Sequence, residues 1–351
     1  MKVLLIRFSS LGDCVLLCPL ARHLKSGGGG GEAGRGAGAG ATEVCVVTKT
    51  AFVELFAATE GVDRVVGYDP KSGQRGLLRI ARELRGRGYR VIDAHNNWRS
   101  RILSAALGGA AGRMRKYYRE RVGLILLKTP ANIPSVLKRY GALAEAIGTQ
   151  CVDLRPGGIV VPERLDRLAA DHLGAGARPW IGVAPGSRWP MKRWPIEGYL
   201  ALARRLAATH RLLLMGDAAD RPVTSRIAAE LGESCLDLAG KVGVVAGAAY
   251  LKRCLALVGN DSGLTHLAEA MGVPVVAMFG PTVEAFGYYP ALARSRVVER
   301  RLSCRPCSRN GSRPCPKGTQ ECLTKIDVDT VARAVDAVLT NSGPTRFVVS
   351  S

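Results

Sequence analysis

Nothing in the 351-residue chain approaches the roughly 20 consecutive apolar residues that a bilayer-spanning helix needs. A membrane-spanning protein is therefore not expected. The N-terminus, MKVLLIRFSSLGD, interrupts its short apolar run with Arg7 and offers no small-residue cleavage site. It reads as a first β-strand rather than a secretory signal, and the expected location is the cytoplasm. Neither half carries GxGxxG after its first strand, and GxxxxGK[ST] is missing altogether. Both absences count against dehydrogenase and P-loop chemistry. Helix-turn-helix and zinc-finger spacings are lacking too, so no nucleic-acid partner is expected. Acidic residues are scarce: 29 Asp and Glu face 50 Lys and Arg, a formal net charge of +21. Such a field attracts polyanions, whether nucleic acid, an anionic membrane face or a phosphorylated substrate, and charge alone does not choose among them.

What the chain does have is apolar residues, 47% of it, and enough length for two cores. KVLLIRF (2–8), TEVCVVT (42–48), VDRVVGYD and RVIDAH (90–95) read as strands, with helices at 12–25 and 98–107 and a low-complexity Gly-rich loop at 27–41. The stretch 71–90 reads as a helix with Leu77, Leu78, Ile80, Ala81 and Leu84 on its apolar face and Arg opposite. The second half repeats the alternation. WIGVAPG (180–186), HRLLLMG, CLDLAG, LALVGN and VPVVAMFG are strands, separated by the helices IEGYLALARRLAAT, 221–232, 243–253 and LTHLAEAMG. Strands this apolar, joined by helices, imply parallel sheets covered on both faces. The expected class is α/β, with two Rossmann-like doubly wound domains over 1–160 and 175–326 facing a central cleft. A last helix at 327–345 is expected to pack back across the domain junction.

In such sheets ligands sit beyond the carboxyl ends of the strands. The polar clusters fall there: SSLGD after strand one, PGSRWPMK after WIGVA, GDAAD after RLLLM and NDSG after LALVG. In NDSGLTH, Ser262 and Gly263 open a helix whose first amides lack helical partners and whose dipole is positive, a natural phosphate site. Gly263 has no Cβ to hold a phosphate away. An ordinary N-cap explains the same residues equally well. APGSRWPMKRWP adds Ser187 and Lys192, and one charge-assisted hydrogen bond contributes about 1.5–3 kcal/mol. Trp189 and Trp194 either line the site or anchor its loop. Together the clusters suggest a nucleotide-diphosphate site.

Taken in order, SSLGD, PGSRWPMKRWP, GDAAD and NDSGLTHLAEAMGVPVVAMFGPT resemble the bacterial ADP-heptose:lipopolysaccharide heptosyltransferases, glycosyltransferase family 9, with a GT-B fold. The resemblance runs from Lys2 to about Val338. It implies inverting transfer of a heptose from ADP-L-glycero-D-manno-heptose to an inner-core sugar hydroxyl, with Asp13 as general base. As residues alone, Ser10, Gly12 and Asp13 suit a helix cap equally well. On the donor side the resemblance implies Ser187, Lys192, Ser262 and Gly263 at the diphosphate, Asp261 at the heptose hydroxyls and His266 within reach of the donor. Asp220, or its neighbour Asp217, would hold the ribose where the family more often has Glu, and the adenine would lie near Ala239–Val242 with Lys241. The acceptor, anionic lipopolysaccharide inner core, would meet Ser10, Gly12, Asn96, Arg113, Arg115 and Lys116, with Asn97, Arg99, Arg119 and Arg121 close by in sequence. Each of these arginines also fits a solvated loop. No cofactor is required, and Asp327-Val328-Asp329 reads as helix-cap acids rather than metal ligands. The surplus positive charge would hold the protein peripherally on the anionic inner face of the membrane.

Ten cysteines occur, and four of them cluster as Cys304-x2-Cys307-x7-Cys315-x6-Cys322. A structural zinc, less plausibly an iron–sulfur cluster, and free thiols all fit that spacing. The cluster is expected to lie beyond the donor residues and to do no chemistry. Two rivals stand beside heptosyl transfer: another nucleotide-sugar enzyme of the same fold, transferring a different sugar or epimerising it, and more distantly a basic nucleic-acid-binding protein.

Overall fold

The structure, a computed structural model, describes residues 1–27, 42–150, 153–174, 176 and 178–349. The Gly-rich loop expected over 27–41 lies, beyond Gly27, outside the described residues. The chain forms two compact units, Met1–Lys116 with Val136–Val160, and Tyr117–Ser135 with Val161–Ser351. The passage of Tyr117–Ser135 into the second unit has no counterpart in a linear division at residue 160.

Five parallel strands build the first unit: β1 (Lys2–Ile6), β2 (Glu43–Lys49), β3 (Arg64–Tyr68), β4 (Arg90–Asp93) and β5 (Gly112–Arg113), in the order β3-β2-β1-β4-β5. Val3, Leu4, Leu5 and Ile6 of β1 are wholly buried because helices cover both faces. The helix Gly73–Leu84 buries Leu77, Ile80, Ala81 and Leu84. Leu78, expected on that face, is 43% exposed. One residue on from Leu77 it is turned about 100° around the helix, off the buried stripe.

The second unit is a seven-stranded parallel sheet of β6 (Trp180–Ala184), β7 (Arg211–Leu214), β8 (Cys235–Asp237), β9 (Cys254–Asn260), β10 (Val275–Phe279), β11 (Arg296–Arg300) and β12 (Arg346–Val349). Its order is β12-β11-β10-β9-β6-β7-β8. Each sheet therefore winds outward in both directions from its first strand, and the winding reverses between β1 and β4 and between β6 and β9. Those switch points are where doubly wound sheets open a crevice.

The helix Val328–Leu339 places Val331, Val335 and Val338 in one core with Ile181, Val258 and Val276 of the second sheet. Its leading Asp327 accepts from the Thr330 amide and hydroxyl at 2.7 and 2.9 Å, and Asp329 pairs with Arg205 at 2.8 Å. Asp327 thus caps the helix, as expected, whereas Asp329 pairs with another helix instead of capping. The helix Gly263–Ala270 carries Glu269, only 2% exposed. Its carboxylate accepts from the amides of Ala291 (2.9 Å) and Leu292 (2.8 Å) and from the Ser295 hydroxyl (2.8 Å). Burial pushes its pKa up, against the pull of these donors. Replacing Glu269 with Ala strands the buried Ser295 hydroxyl and two part-buried amides. The variant is expected to lose about 3 kcal/mol of stability, read from the denaturant midpoint of the second unit.

Candidate functional site

In the first unit the site forms where β1 and β4 end. Asp13 sits at the third position of the helix Leu11–Lys25, whose N-cap is Ser10. Its Oδ2 accepts from the Ser10 amide (3.1 Å) and hydroxyl (2.8 Å) and pairs with Arg7 at 2.7 Å. Asp13 thus does the work of a cap and is also the anionic partner of a buried arginine. Arg7 in turn donates to the Ala94 carbonyl at 2.6 Å, which ties the end of β1 to the end of β4. Gly12 is buried in the helix's first turn.

At the end of β4, fully buried Asp93 accepts from the amides of His95 (3.1 Å) and Asn96 (2.6 Å) and from the Ser100 hydroxyl (3.0 Å). Asn96 takes a left-handed conformation (φ 50°), and its side chain bridges the Met114 carbonyl and Arg101. Asn97 caps the next helix through the Ser100 amide. Arg113 reaches back to Ser104 (3.2 Å) and to Asp93 (3.8 Å). Asn96 and Arg113 therefore hold the turn together, whereas Arg115 is exposed and Lys116 half-buried. The residue that sequence reasoning missed is His95. Its ring stacks edge-on to Phe8, its Nδ1 is buried without a hydrogen-bond partner, and burial, then neighbouring Arg7, holds its pKa down at about 3. The imidazole is thus neutral near pH 7, beside the Arg7–Asp13 pair. Its position at the last residue of RVIDAH, a strand end, was the available signal.

In the second unit the ends of β6, β9 and β10 converge. Lys192 meets Asp261 at 2.5 Å, with side chains 13% and 7% exposed. The same Asp261 oxygen accepts from Thr282 at 2.7 Å, and Ser187 reaches the Asp261 carbonyl at 3.5 Å. Asn260 donates to the Pro185 carbonyl (2.8 Å) and accepts from the Trp194 amide (2.9 Å), while the Trp194 indole donates to Ile326 (3.0 Å). Trp194 is therefore an anchor. Ser262 stands at the N-cap of the helix Gly263–Ala270 yet makes no cap bond, and its Oγ is buried without a partner. The simple-cap reading fails at this residue, and a hydroxyl is left beside the helix's first amides.

Asp220 accepts from the Asp217 amide at 3.1 Å and lies 3.8 Å from Arg193; burial raises its pKa. Its carboxyl lies where a Cβ on residue 186 would stand, 2.1 Å away, so only glycine fits at Gly186. His266 is 5% exposed, with Tyr288 at 6.2 Å. Lys241 points its ammonium back at the Asp237 carbonyl (2.8 Å). Thr282, inside the FGPT stretch, is the second-unit residue that was passed over.

Of the alternatives open at Cys304, Cys307, Cys315 and Cys322, the structure supports no zinc site. Among the described residues no three His, Cys, Asp or Glu side chains gather so as to hold a metal ion. Cys322 is buried, and its sulfur would lie 3.3 Å from a Cβ at Gly280. For Cys315 burial pushes the thiol pKa up, but the amides of Gln320, Lys317, Thr319 and Gly318 outweigh it and leave it lowered. The loop is instead organised by Arg305, whose guanidinium donates to Gly280 (2.5 Å), Thr282 (2.9 Å), Glu299 (2.8 Å) and Arg300. Nor does the loop lie beyond the expected donor residues. Gly311 (φ +79°) comes so close that a Cβ there would meet the Lys192 stem at 2.8 Å and Trp189 at 3.3 Å.

A family model described as glycosyltransferase family 9 (heptosyltransferase) matches residues 77–317. Lipooligosaccharide heptosyltransferase 2 of Haemophilus ducreyi is 36% identical over 86% of this chain and 88% of its own. The Haemophilus influenzae protein of the same name is 35% identical, but the match spans only about half of each chain, 48% and 52%. The solved structure of E. coli ADP-heptose lps heptosyltransferase II aligns over 97% of this chain and 99% of its own with a TM-score of 0.72 at 23% identity. At that identity the likeness shows the fold, which is of the GT-B class. No described helix is long and apolar enough to cross a membrane.

Two outcomes test the site's electrostatics. Lys192→Met alone strands a buried carboxylate and is expected to cost about 3 kcal/mol or more. Lys192→Met with Asp261→Asn should recover part of that loss in a double-mutant cycle of denaturant midpoints. His95, with its folded pKa depressed to about 3, takes up its proton more readily when unfolded. The first unit should therefore lose stability as pH falls from about 6.5 toward 3, and His95→Asn should flatten that acid limb in urea titrations.

Proposed function

The chain belongs to glycosyltransferase family 9, the heptosyltransferases, and from that premise we propose that it moves a heptose from ADP-L-glycero-D-manno-heptose onto a sugar hydroxyl of the lipopolysaccharide inner core, with inversion. The observation that carries the reading is the buried, unpartnered Ser262 hydroxyl at the amide end of a helix, one residue beyond the Lys192–Asp261 pair. Helix amides, a hydroxyl and a lysine together suit a diphosphate.

In this reading the bond from the anomeric carbon to the diphosphate oxygen breaks, and the charge left on ADP falls to Ser187, Lys192, Ser262 and the Gly263 amide. Asp261 exchanges part of its hold on Lys192 for the heptose hydroxyls. Asp220 takes the ribose hydroxyls, with Asp217 as its neighbour, and His266 stands behind the donor. The adenine lies against Ala239–Val242, with Lys241 at its edge. The acceptor oxygen attacks the anomeric carbon from the opposite face and passes its proton to Asp13. Three donors already converge on Oδ2 of Asp13, so the carboxylate is fixed in direction toward the proton it would accept. Ser10, Gly12, Asn96, Arg113, Arg115 and Lys116 form the acceptor side, the cationic residues meeting phosphate and carboxylate. Transfer needs no metal, and the enzyme works in the cytoplasm, peripheral to the anionic inner face of the membrane.

Calorimetric titration with ADP, UDP and GDP, with and without EDTA, tests the donor half: binding should be confined to ADP and indifferent to EDTA. A preference for UDP would make the chain a different nucleotide-sugar enzyme. Asp13→Asn should lower turnover by about 10²–10⁴-fold while ADP affinity holds. Loss of turnover and donor affinity together would reduce Asp13 to its structural role.

A further inference from the structure

The stretch Tyr118–Leu127 has its polarity reversed for a helix in water. It is an α-helical turn, Tyr118–Val122, that runs into a π-turn, Gly123–Leu127, and ends on Lys128 in the left-handed region (φ 55°). Two cations of the segment are tied to backbone carbonyls. Arg121 is 8% exposed, donates to the Phe286 carbonyl at 3.1 Å and lies 5.2 Å over the Phe286 ring. Lys128 donates to the carbonyls of Cys304 (2.9 Å) and Pro306 (2.8 Å). Its apolar side faces out, with Tyr118 49%, Val122 52%, Leu126 66% and Leu127 77% exposed. Tyr118 and Val122 are four apart, and Val122 and Leu127 five apart, the repeat of a π-turn, so these side chains form one stripe. With Arg119 and Gly123 they line one shallow apolar surface. Single exposed leucines are ordinary, but a contiguous apolar stripe of four large side chains points to a partner.

Charge selects the partner. Arg119 is exposed in the stripe, and Arg309 lies 5.5 Å over the ring of Tyr118. The segment RMRK (113–116) leads directly into it, and the whole chain carries +21. A second copy would press its own cations against these, and Glu120 is the lone acid of the stretch. A bilayer offers anionic phosphates at its surface and acyl chains a few ångströms below. Ten residues are too few to span it and enough to lie in its interface. We propose that Tyr118–Leu127 is an interfacial anchor that docks the second unit on a bilayer containing anionic phospholipid. It rests on the membrane-side part of the functional reading above and gives that contact a place in the chain.

Flotation of the full chain with phosphatidylcholine vesicles, with and without phosphatidylglycerol, tests this without nucleotide or sugar. The wild type should float with the anionic vesicles and stay behind with the neutral ones. Leu126→Ser with Leu127→Ser should lower partitioning about tenfold or more at unchanged melting temperature and ADP affinity. Leu126→Phe with Leu127→Phe should raise it. Unchanged partitioning of the serine pair, or wild type that floats equally with both vesicles or with neither, would overturn the proposal. So would a wild-type dimer in light scattering that the serine pair converts to monomer, because the stripe would then belong to a second copy. Failure of the glycosyl-transfer reading would show instead as lost ADP specificity with flotation intact.

Discussion

A buried ion pair between Lys192 and Asp261 fixes the working end of the second unit, because it ties three strand ends to one oxygen. Lys192 arrives from the loop after β6, Asp261 directly follows β9, and Thr282 follows β10. Taking both charges out of water is costly, and such a pair persists only where the remaining polar atoms are satisfied. Here the neighbours meet that demand. Asn260, one residue before the pair, holds the carbonyl of Pro185 and the amide of Trp194, and Trp194 carries the linkage to Ile326. Against this near-complete satisfaction the Ser262 hydroxyl stands out. A network that leaves one buried hydroxyl beside helix amides is shaped for something other than its own stability.

The first unit repeats the arrangement with different residues. Its sheet winds in the same order, and its switch point is also closed by a buried cation and a carboxylate, Arg7 and Asp13. The difference lies in where the acid sits. Asp261 follows a strand end and answers a lysine, which can share its charge with an incoming anion. Asp13 belongs to a helix start and answers an arginine, whose planar fork fixes the carboxylate's direction. The neutral His95 beside it adds no second positive charge to the Arg7–Asp13 pair. One topology thus presents two carboxylates in unlike electrostatic settings.

Most of this was legible in the sequence because parallel strands buried on both faces must be apolar throughout, as KVLLI and WIGVA are. The strands that escaped notice, β5, β11 and β12, are short or begin with arginine. Arg296 of β11 hides its charge by bonding the carbonyls of Ala293, Ser295 and Ser342, a solution no local pattern announces. The polar clusters identified the strand ends, and with them Asp13, Lys192, Asp261 and Ser262. Their partners were not legible. Arg7 was visible as a charge in an apolar strand, but its bond to Asp13 needs the turn between them, and Thr282 reaches Asp261 only across two strands.

The cysteine-rich loop shows how composition leaves an organiser open. CRPCSRNGSRPCPKGTQEC has almost nothing apolar to fold around, which makes a metal the natural organiser. The arginine inside the first Cys-x2-Cys is one organiser that the structure shows. Arg305, with a side chain 5% exposed, binds three backbone carbonyls and Glu299, and so ties the loop to the ends of β10 and β11. A guanidinium can do this because its five donors lie in one plane and cannot lose their charge. Held in that way, the loop braces the stem of Lys192 through Gly311 and receives Lys128 from beneath the exposed stripe. Lys192, the proposed donor contact, and the proposed membrane contact therefore lean on the same backbone within one unit. A shift of that loop would be felt at both, with no ligand passing between them.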